Sequence, residues 1–148
     1  MEDLVSSILT ITEQMKVNTP EQFVKAVLDR LSTFGYEVSN VDEWLIAFCI
    51  QKVINHIFNS CNIKSLPIGL FYIAVDRVCG EVLYSLKNTG KLTLEDIDIG
   101  NALREIIEGD ITLKFETSTS DEQRFNNFIE YLRTEGESDE ICYRKLKW

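Results

Sequence analysis

The chain holds a single histidine, His56, seven residues after Cys49 and five before Cys61. One imidazole and two thiols are the beginnings of a tetrahedral zinc site, which takes four protein ligands when structural and three when catalytic. Seven-residue spacing puts Cys49 and His56 on one face of a helix. Two ligands without a third make no site, so His56, flanked by Ile54 and Ile57, reads as a structural residue. Cys49, Cys61, Cys79 and Cys142 lack both the close pairing of a zinc motif and the density of a disulfide scaffold, and all four are expected as reduced thiols. Carboxylates are plentiful, and Glu95, Asp96 and Asp98 have the types that serve hydrolysis or bind divalent cations. They fall in a charged connector around Gly90, where the plainer reading is a solvated segment. Glu108 to Asp110, "EGD", reads as a helix terminator leading into a strand. There is no Gly-rich phosphate loop, no GxSxG elbow and no cysteine with an evident base. The sequence therefore predicts no catalytic residue, no metal site, no cofactor and no enzyme.

The other unusual residues are the last ones, "CYRKLKW" (142–148), where three cations and two aromatics close an acidic chain of net charge −9. Pressed on a partner, Tyr143, Leu146 and Trp148 each contribute roughly 1.5–3 kcal/mol by burial. Ordering six residues costs about 1–2 kcal/mol apiece in backbone entropy, so the two sums nearly cancel. Arg144, Lys145 and Lys147 add modest, salt-sensitive attraction to an acidic partner. A lone tail is a weak ligand, whereas many copies facing a ring-shaped partner bind strongly through effective concentration. The other reading has the tail folding back on its own acidic surface, and the residues leave both open.

The elements that must position these residues are mostly helical. With 148 residues, 45% of them hydrophobic, the chain suits one folded domain. Its 24 acidic against 15 basic residues exclude a broad phosphate-neutralising face, and with it a DNA-reading role. No run of about 18 uncharged apolar residues is present. The acidic start "MEDLVSSILT" is unlike a secretory signal, so an intracellular protein with no membrane segment is expected.

Leu4, Ile8, Ile11 and Met15 recur at helical spacing and predict an amphipathic helix over 3–16. A second helix begins with Thr19 as N-cap, Pro20 in the first turn and Gln22 completing a capping box, buries Phe23, Val27, Leu31 and Phe34, and stops at Gly35. "VDEWLIAFCIQKVINHIFNSC" and "PIGLFYIAVDRVCGEVLYSLK" are apolar nearly all round, with narrow polar rows at Lys52, Asn55, His56, Asn59 and at Arg77, Glu81, Ser85. A left-handed stop at Asn62 and a restart at Pro67 separate them. Such central helices need cover on several sides, from flanking helices or from neighbouring subunits. Ile99, Leu103, Ile106 and Ile107 predict a short helix ending near Gly109. Ile111, Leu113 and Phe115 then alternate with Thr112, Lys114 and Glu116, the pattern of a half-buried strand. It has no obvious partner strand, so its backbone groups must pair with a weakly coded segment or with another chain. Ser120 and Gln123 cap a last helix carrying Phe125, Phe128, Ile129 and Leu132 inward, and "TEGESDE" reads as a polar linker to the tail. The expected fold is mainly α: a small helical bundle with a short β-strand or hairpin element near 110–116 and an extended C-terminal tail. The division is a domain over 1–136, including an N-terminal helical extension over 1–38, and a docking tail over 137–148.

From about residue 27 onward, the run "RLSTFGYEVSNVDEWLIAFCIQKVINHIFNSCNIKSLPIGLFYIAVDRVCGEVL", then "IIEGDITLKF", "RFNNFIEYL" and the terminal "YRKLKW", resembles the head-tail connector proteins of tailed bacteriophages. The parts that carry the likeness are the "CNI...P" junction at Cys61 to Pro67, "VCGE" at Val78 to Glu81, "EGD" before a strand, and the basic-aromatic ending. The resemblance implies a structural virion protein in the neck, at the head-tail junction, assembled in the host cytoplasm. It implies a homo-oligomeric adaptor ring, a dodecamer, that completes the head beneath the portal protein and offers a surface to the stopper or tail-completion protein. DNA then passes through the channel without specific binding, consistent with repulsion between acidic walls and phosphates. By the same resemblance Tyr143, Arg144, Lys145, Leu146, Lys147 and Trp148 form the portal-docking tail. Gly109, Asp110, Ile111, Thr112, Leu113, Lys114 and Phe115 form an intersubunit or stopper-facing strand. The helix at 3–16 departs from the short members of that family, and Lys147 stands where arginine is expected, keeping the charge but losing bidentate pairing. The alternative is a small cytosolic helical regulator or inhibitor that binds one acidic partner through the same tail.

Overall fold

A computed structural model describes residues 2–12, 17, 19–92, 120–141 and 143–145. They form six α-helices: α1 (Glu2–Ile11), α2 (Pro20–Thr33), α3 (Glu43–Cys61), α4 (Ile68–Asn88), α5 (Asp121–Thr134) and α6 (Glu137–Ile141), with a 3-10 turn at Asn40–Asp42 ahead of α3. The mainly helical bundle expected from the sequence is what the described residues build. The strand expected near 110–116, the helix expected to end near Gly109 and the acidic residues Glu95, Asp96 and Asp98 of the connector lie outside the described residues.

The apolar periodicities define the packing. Phe23, Val27, Leu31 and Phe34 are all fully buried. Phe34 meets Phe128 of α5 edge to face, with ring centroids 5.0 Å apart. Gly35 ends α2 at φ +91°, a conformation that favours a residue without Cβ. Its amide donates to Ser32 O while Tyr36 N donates to Leu31 O, which closes the helix in the double-bonded C-terminal pattern. The predicted capping box at Thr19 and Gln22 does not form: Thr19 sits at φ −135°, ψ 73° and its hydroxyl makes no cap bond. Pro20 in the first turn leaves that helix end one backbone N–H fewer to satisfy. At α5 the Ser120 hydroxyl does accept the Gln123 amide, at 3.3 Å. Helix α1 runs Glu2–Ile11, its Leu4, Val5 and Ile8 joining the core, and residues 13–16 of the predicted 3–16 lie outside the described residues.

Helices α3 and α4 form an antiparallel hairpin whose register is visible in its polar contacts. Lys52 Nζ pairs with Glu81 Oε2 at 3.1 Å, and Cys49 lies beside Ser85, so residue numbers sum to nearly the same value. Asn62, at φ 54°, ends α3 in the predicted left-handed conformation, and Pro67 restarts the chain into α4. The row Arg77, Glu81, Ser85, expected as the polar stripe of α4, is not a solvated face. Helices α5 and α6 cover it, and it becomes an internal polar seam: Glu81 takes Lys52 on one side and Arg133 Nε on the other at 3.0 Å, and Arg77 is buried. Gly80 lies beneath the same crossing, where a Cβ would come within 2.8 Å of Leu132 Cβ and 2.9 Å of Arg133 N. The "VCGE" sequence is thus a place where α4 and α5 approach closely, and only glycine leaves the room.

Candidate functional site

The residues expected as a polar linker, "TEGESDE", instead contain α6. Gly136 adopts φ +80° and reverses the chain after α5, which returns Glu140 over α4. There its carboxylate forms an ion pair with Arg77 Nη1, both side chains about 95% buried. Arg77 Nε donates to Glu135 O at 2.7 Å. A buried charge persists when it is paired and hydrogen-bonded, and removal of one partner leaves the other stranded. This pair fixes the start of the tail to the body.

The next residues continue the attachment at the α3–α4 turn. The Cys61 thiol donates to Glu140 O at 3.6 Å, Lys145 N donates to Cys61 O at 2.7 Å, and Asn62 Nδ2 donates to Lys145 O at 3.3 Å. Tyr143 is half-buried, its hydroxyl lying over Gly69, where a Cβ would fall 1.8 Å from it. The described part of the tail is therefore docked on its own chain, and the expectation of an extended segment from 137 is corrected for 137–141 and 143–145. The physical reason is local: α3 ends at Cys61, whose carbonyl takes Lys145 N, while the side-chain amide of the left-handed Asn62 donates to Lys145 O. Arg144 and Lys145 keep exposed side chains. Leu146, Lys147 and Trp148 lie outside the described residues, as do Gly109, Asp110, Ile111, Thr112, Leu113, Lys114 and Phe115.

His56 and Cys49 do not form a centre. Cys49 is buried, its thiol pushed up to about 12 by burial and by Glu81, whereas His56 is exposed. His56 borders a pocket of about 270 Å3 with Lys52, Arg77, Glu81, Arg133 and Glu137, a polar cleft whose cations are already paired to Glu81 and Glu140. Among the described residues no three His, Cys, Asp or Glu side chains gather as a metal-binding group, and no helix is long and apolar enough to cross a membrane. Cys49, Cys61 and Cys79 are free thiols, as predicted; Cys142 lies outside the described residues. Burial raises Cys79 well above the ordinary thiol range and raises Cys61 as well, so all three are poor nucleophiles. A second carboxylate cluster joins α2, α4 and α5. Arg30 Nε binds Asp76 Oδ1 at 2.9 Å, and Glu135, hydrogen-bonded to Asp76, is pushed up to about 8 by burial and by that neighbouring acid.

What the sequence reading missed lies on the surface. Val41, Trp44 and Phe48 are 84%, 73% and 64% exposed, and Ile68 and Tyr72 are 88% and 75% exposed. Their spacing, i, i+3, i+7 and i, i+4, was visible in the sequence but could not be told from the core spacing of the same helices. An exposed apolar cluster of this kind on a soluble surface marks a place where another surface belongs. The first cluster sits at the start of α3 and the second at the start of α4. By the antiparallel register they lie at opposite ends of the hairpin, roughly 30 Å apart at 1.5 Å per residue.

Compared with protein-family models, with curated proteins and with solved structures, the chain has no match.

Proposed function

We propose that this chain is a structural virion protein: a head-tail connector that forms a ring under the portal and links the capsid to the stopper or tail. The observation that carries the reading is the site where the tail leaves the body. Residues 143–145 are pinned beside Asn62, with Arg144 and Lys145 exposed, at the same end of the hairpin as the uncovered Ile68 and Tyr72. An adaptor requires such an arrangement: cationic residues projected from a fixed point, beside an apolar surface awaiting a neighbour. Because the fold itself holds Tyr143, Arg144 and Lys145, their ordering does not count against docking. The roughly balanced sum for a free six-residue tail shifts in favour of binding. The exposed clusters give the neighbouring subunits of a ring something to cover. DNA, in this reading, traverses the ring without being held. The segment Gly109 to Phe115 supplies a strand for a neighbouring subunit or the stopper, since strand addition satisfies exposed backbone groups.

The test is co-sedimentation with the candidate portal ring, at low and high salt, of the full chain and of one ending at Lys145. That truncation removes Leu146, Lys147 and Trp148 while leaving the Arg77–Glu140 pair and the Lys145–Cys61 bond in place. The expected result is binding of the full chain in many copies, weakened by salt, and loss of binding by the shorter one with helical content unchanged. Equal binding of both sinks the docking-tail assignment. No binding by either sinks the portal role and favours a regulator acting on a single acidic partner.

A further inference from the structure

Helix α6 and the tail hang on one junction. Glu135 ends α5, Gly136 turns the chain, and Glu140 meets Arg77 one helical turn later. Arg77 holds both sides of that turn, with Nε on the Glu135 carbonyl at 2.7 Å and Nη1 on the Glu140 carboxylate. A displaced Glu135 therefore loosens the guanidinium that fastens α6. The Glu135 side chain lies against the Asp76 carboxyl. Asp76 already takes Arg30 Nε at 2.9 Å, whereas Glu135 Oε2 is buried and accepts no hydrogen bond among the described residues. Such an oxygen beside a carboxylate is satisfied when protonated, because its O–H then donates to the neighbouring acid, and is stranded when it is not. The charged and titratable groups around it are Asp76 and Arg77 of α4, Arg30 and Asp29 of α2, Tyr131 of α5 and, beyond Arg77, Glu140 of α6. With Arg77 engaged by Glu140, one guanidinium, that of Arg30, faces two carboxyl groups.

We propose that the Asp76–Glu135 carboxyl pair is a proton-operated latch on the turn at Gly136. With one proton between the two acids the turn stays closed and α6 and residues 143–145 lie on the body; loss of that proton drives the turn open and frees them. The release is local, because α5 keeps Phe125, Phe128, Ile129 and Leu132 in the core while α6 buries only Glu140. The sign follows from where the proton is held. Burial and Asp76 keep it on Glu135 up to about 8 in the closed form, against the ordinary carboxylate range once the turn is open. Closure is thus fully favoured below about 4.5, weakens as pH rises, and levels off above 8. Within that window the closed-to-open ratio falls by at most about tenfold per pH unit, and by less for a group that is partly exposed. The latch acts whatever the tail binds.

Amide hydrogen exchange of the full chain, followed by NMR from pH 5.5 to 8.5 and divided by the intrinsic rate at each pH, reads the latch. Two amides report it: Glu140 N, bonded to Gly136 O, and Lys145 N, bonded to Cys61 O. The amide of fully buried Leu83, inside α4, reports unfolding of the whole. The two latch amides are expected to be at least about tenfold less protected than Leu83, since they exchange through a local opening. Their protection should fall at least roughly fivefold from pH 6 to 8 and then level off. Glu135→Gln, which keeps a donor toward Asp76 at every pH, should hold it level. Asp76→Asn, which removes the like charge and leaves Glu135 to ionise beside Arg30, should do the same, and circular dichroism checks that both variants keep their helices. Latch amides as protected as Leu83, parent protection that is flat with pH, or a fall that survives either substitution would each overturn the proposal.

Discussion

Replacing Gly80 with alanine sets two physical effects of opposite sign against each other. In the middle of α4, alanine is favoured over glycine by about 1 kcal/mol from helix propensity alone. The new Cβ would stand 2.8 Å from Leu132 Cβ and 2.9 Å from the backbone nitrogen of Arg133. Ordinary carbon contacts lie near 3.5–4.0 Å, so α5 must withdraw by roughly 0.7 Å or more. The backbone atom cannot rotate aside as a side-chain end can. Withdrawal also stretches the 3.0 Å bond from Arg133 to Glu81 and lifts the Arg133 guanidinium from the Tyr84 ring, 3.9 Å below it. Overpacking of this kind costs about 1–3 kcal/mol, toward the upper half when backbone is struck. After the propensity gain, a net loss of about 1–2 kcal/mol is expected, which lowers the melting temperature by about 3–8 °C for a chain of this size. Thermal denaturation followed at 222 nm, with Asn55→Ala on the exposed side of α3 as a propensity reference, measures it. A Gly80→Ala melting temperature equal to or above the parent would refute the close-approach argument, because propensity alone predicts a rise.

Four further outcomes are expected. Glu140→Ala strands the buried Arg77 guanidinium and should cost about 3–5 kcal/mol in urea unfolding, most of it recovered in an Arg77→Met, Glu140→Leu double variant. Gly69→Ala displaces the hydroxyl end of Tyr143, a movable group, so stability should change little while Tyr143 becomes accessible to nitration. Glu135 holds its proton in the folded state up to about 8 but only to the ordinary carboxylate range when unfolded; the stabilisation is thus complete below about 4.5 and lost as pH rises through 8. Urea midpoints between pH 5 and 8.5 should therefore fall by a slope of at most about 1.4 kcal/mol per pH unit, reduced by the partial exposure of this group, and Glu135→Gln should flatten it. In a Cys142→Ser background the remaining thiols should resist a disulfide reagent at pH 8 until the protein is unfolded; rapid labelling in the native state would contradict their burial.

The helical part of the fold was legible because its signals are local. Gly35, Asn62 and Pro67 punctuate the chain where backbone geometry demands them, and the Phe23, Val27, Leu31, Phe34 stripe has only one sensible destination. The polar row of α4 was legible as a row but not in its partners: Arg77 and Glu81 pair with Glu140 and Arg133, 52 or more residues away. Nothing in "TEGESDE" announces a helix, since α6 is five residues long and gains its support from one ion pair and a turn at Gly136. Likewise Trp44 and Phe48 share the four-residue spacing of the fully buried Ile46 and Ile50, and only the packing of α1 and α4 decides which pair is covered. The tail was read as a choice between projecting and folding back; residues 143–145 fold back, held by one backbone bond to Cys61, by the Asn62 side-chain amide and by Tyr143 over Gly69, contacts that sequence spacing does not reveal.

The attachment of residue 145 to Cys61, and of Glu140 to Arg77, also dictates when this molecule can be finished. During synthesis the α3–α4 hairpin emerges long before the residues that complete it. Until Glu140 clears the ribosome, Arg77 has no carboxylate to meet, and burying it would strand a charge. The nascent chain must therefore wait with that seam open to water until Glu140 has emerged. A polypeptide cut short before Glu140 would betray itself by an unclosed seam, exposing apolar α4 surface to whatever chaperone or protease inspects it.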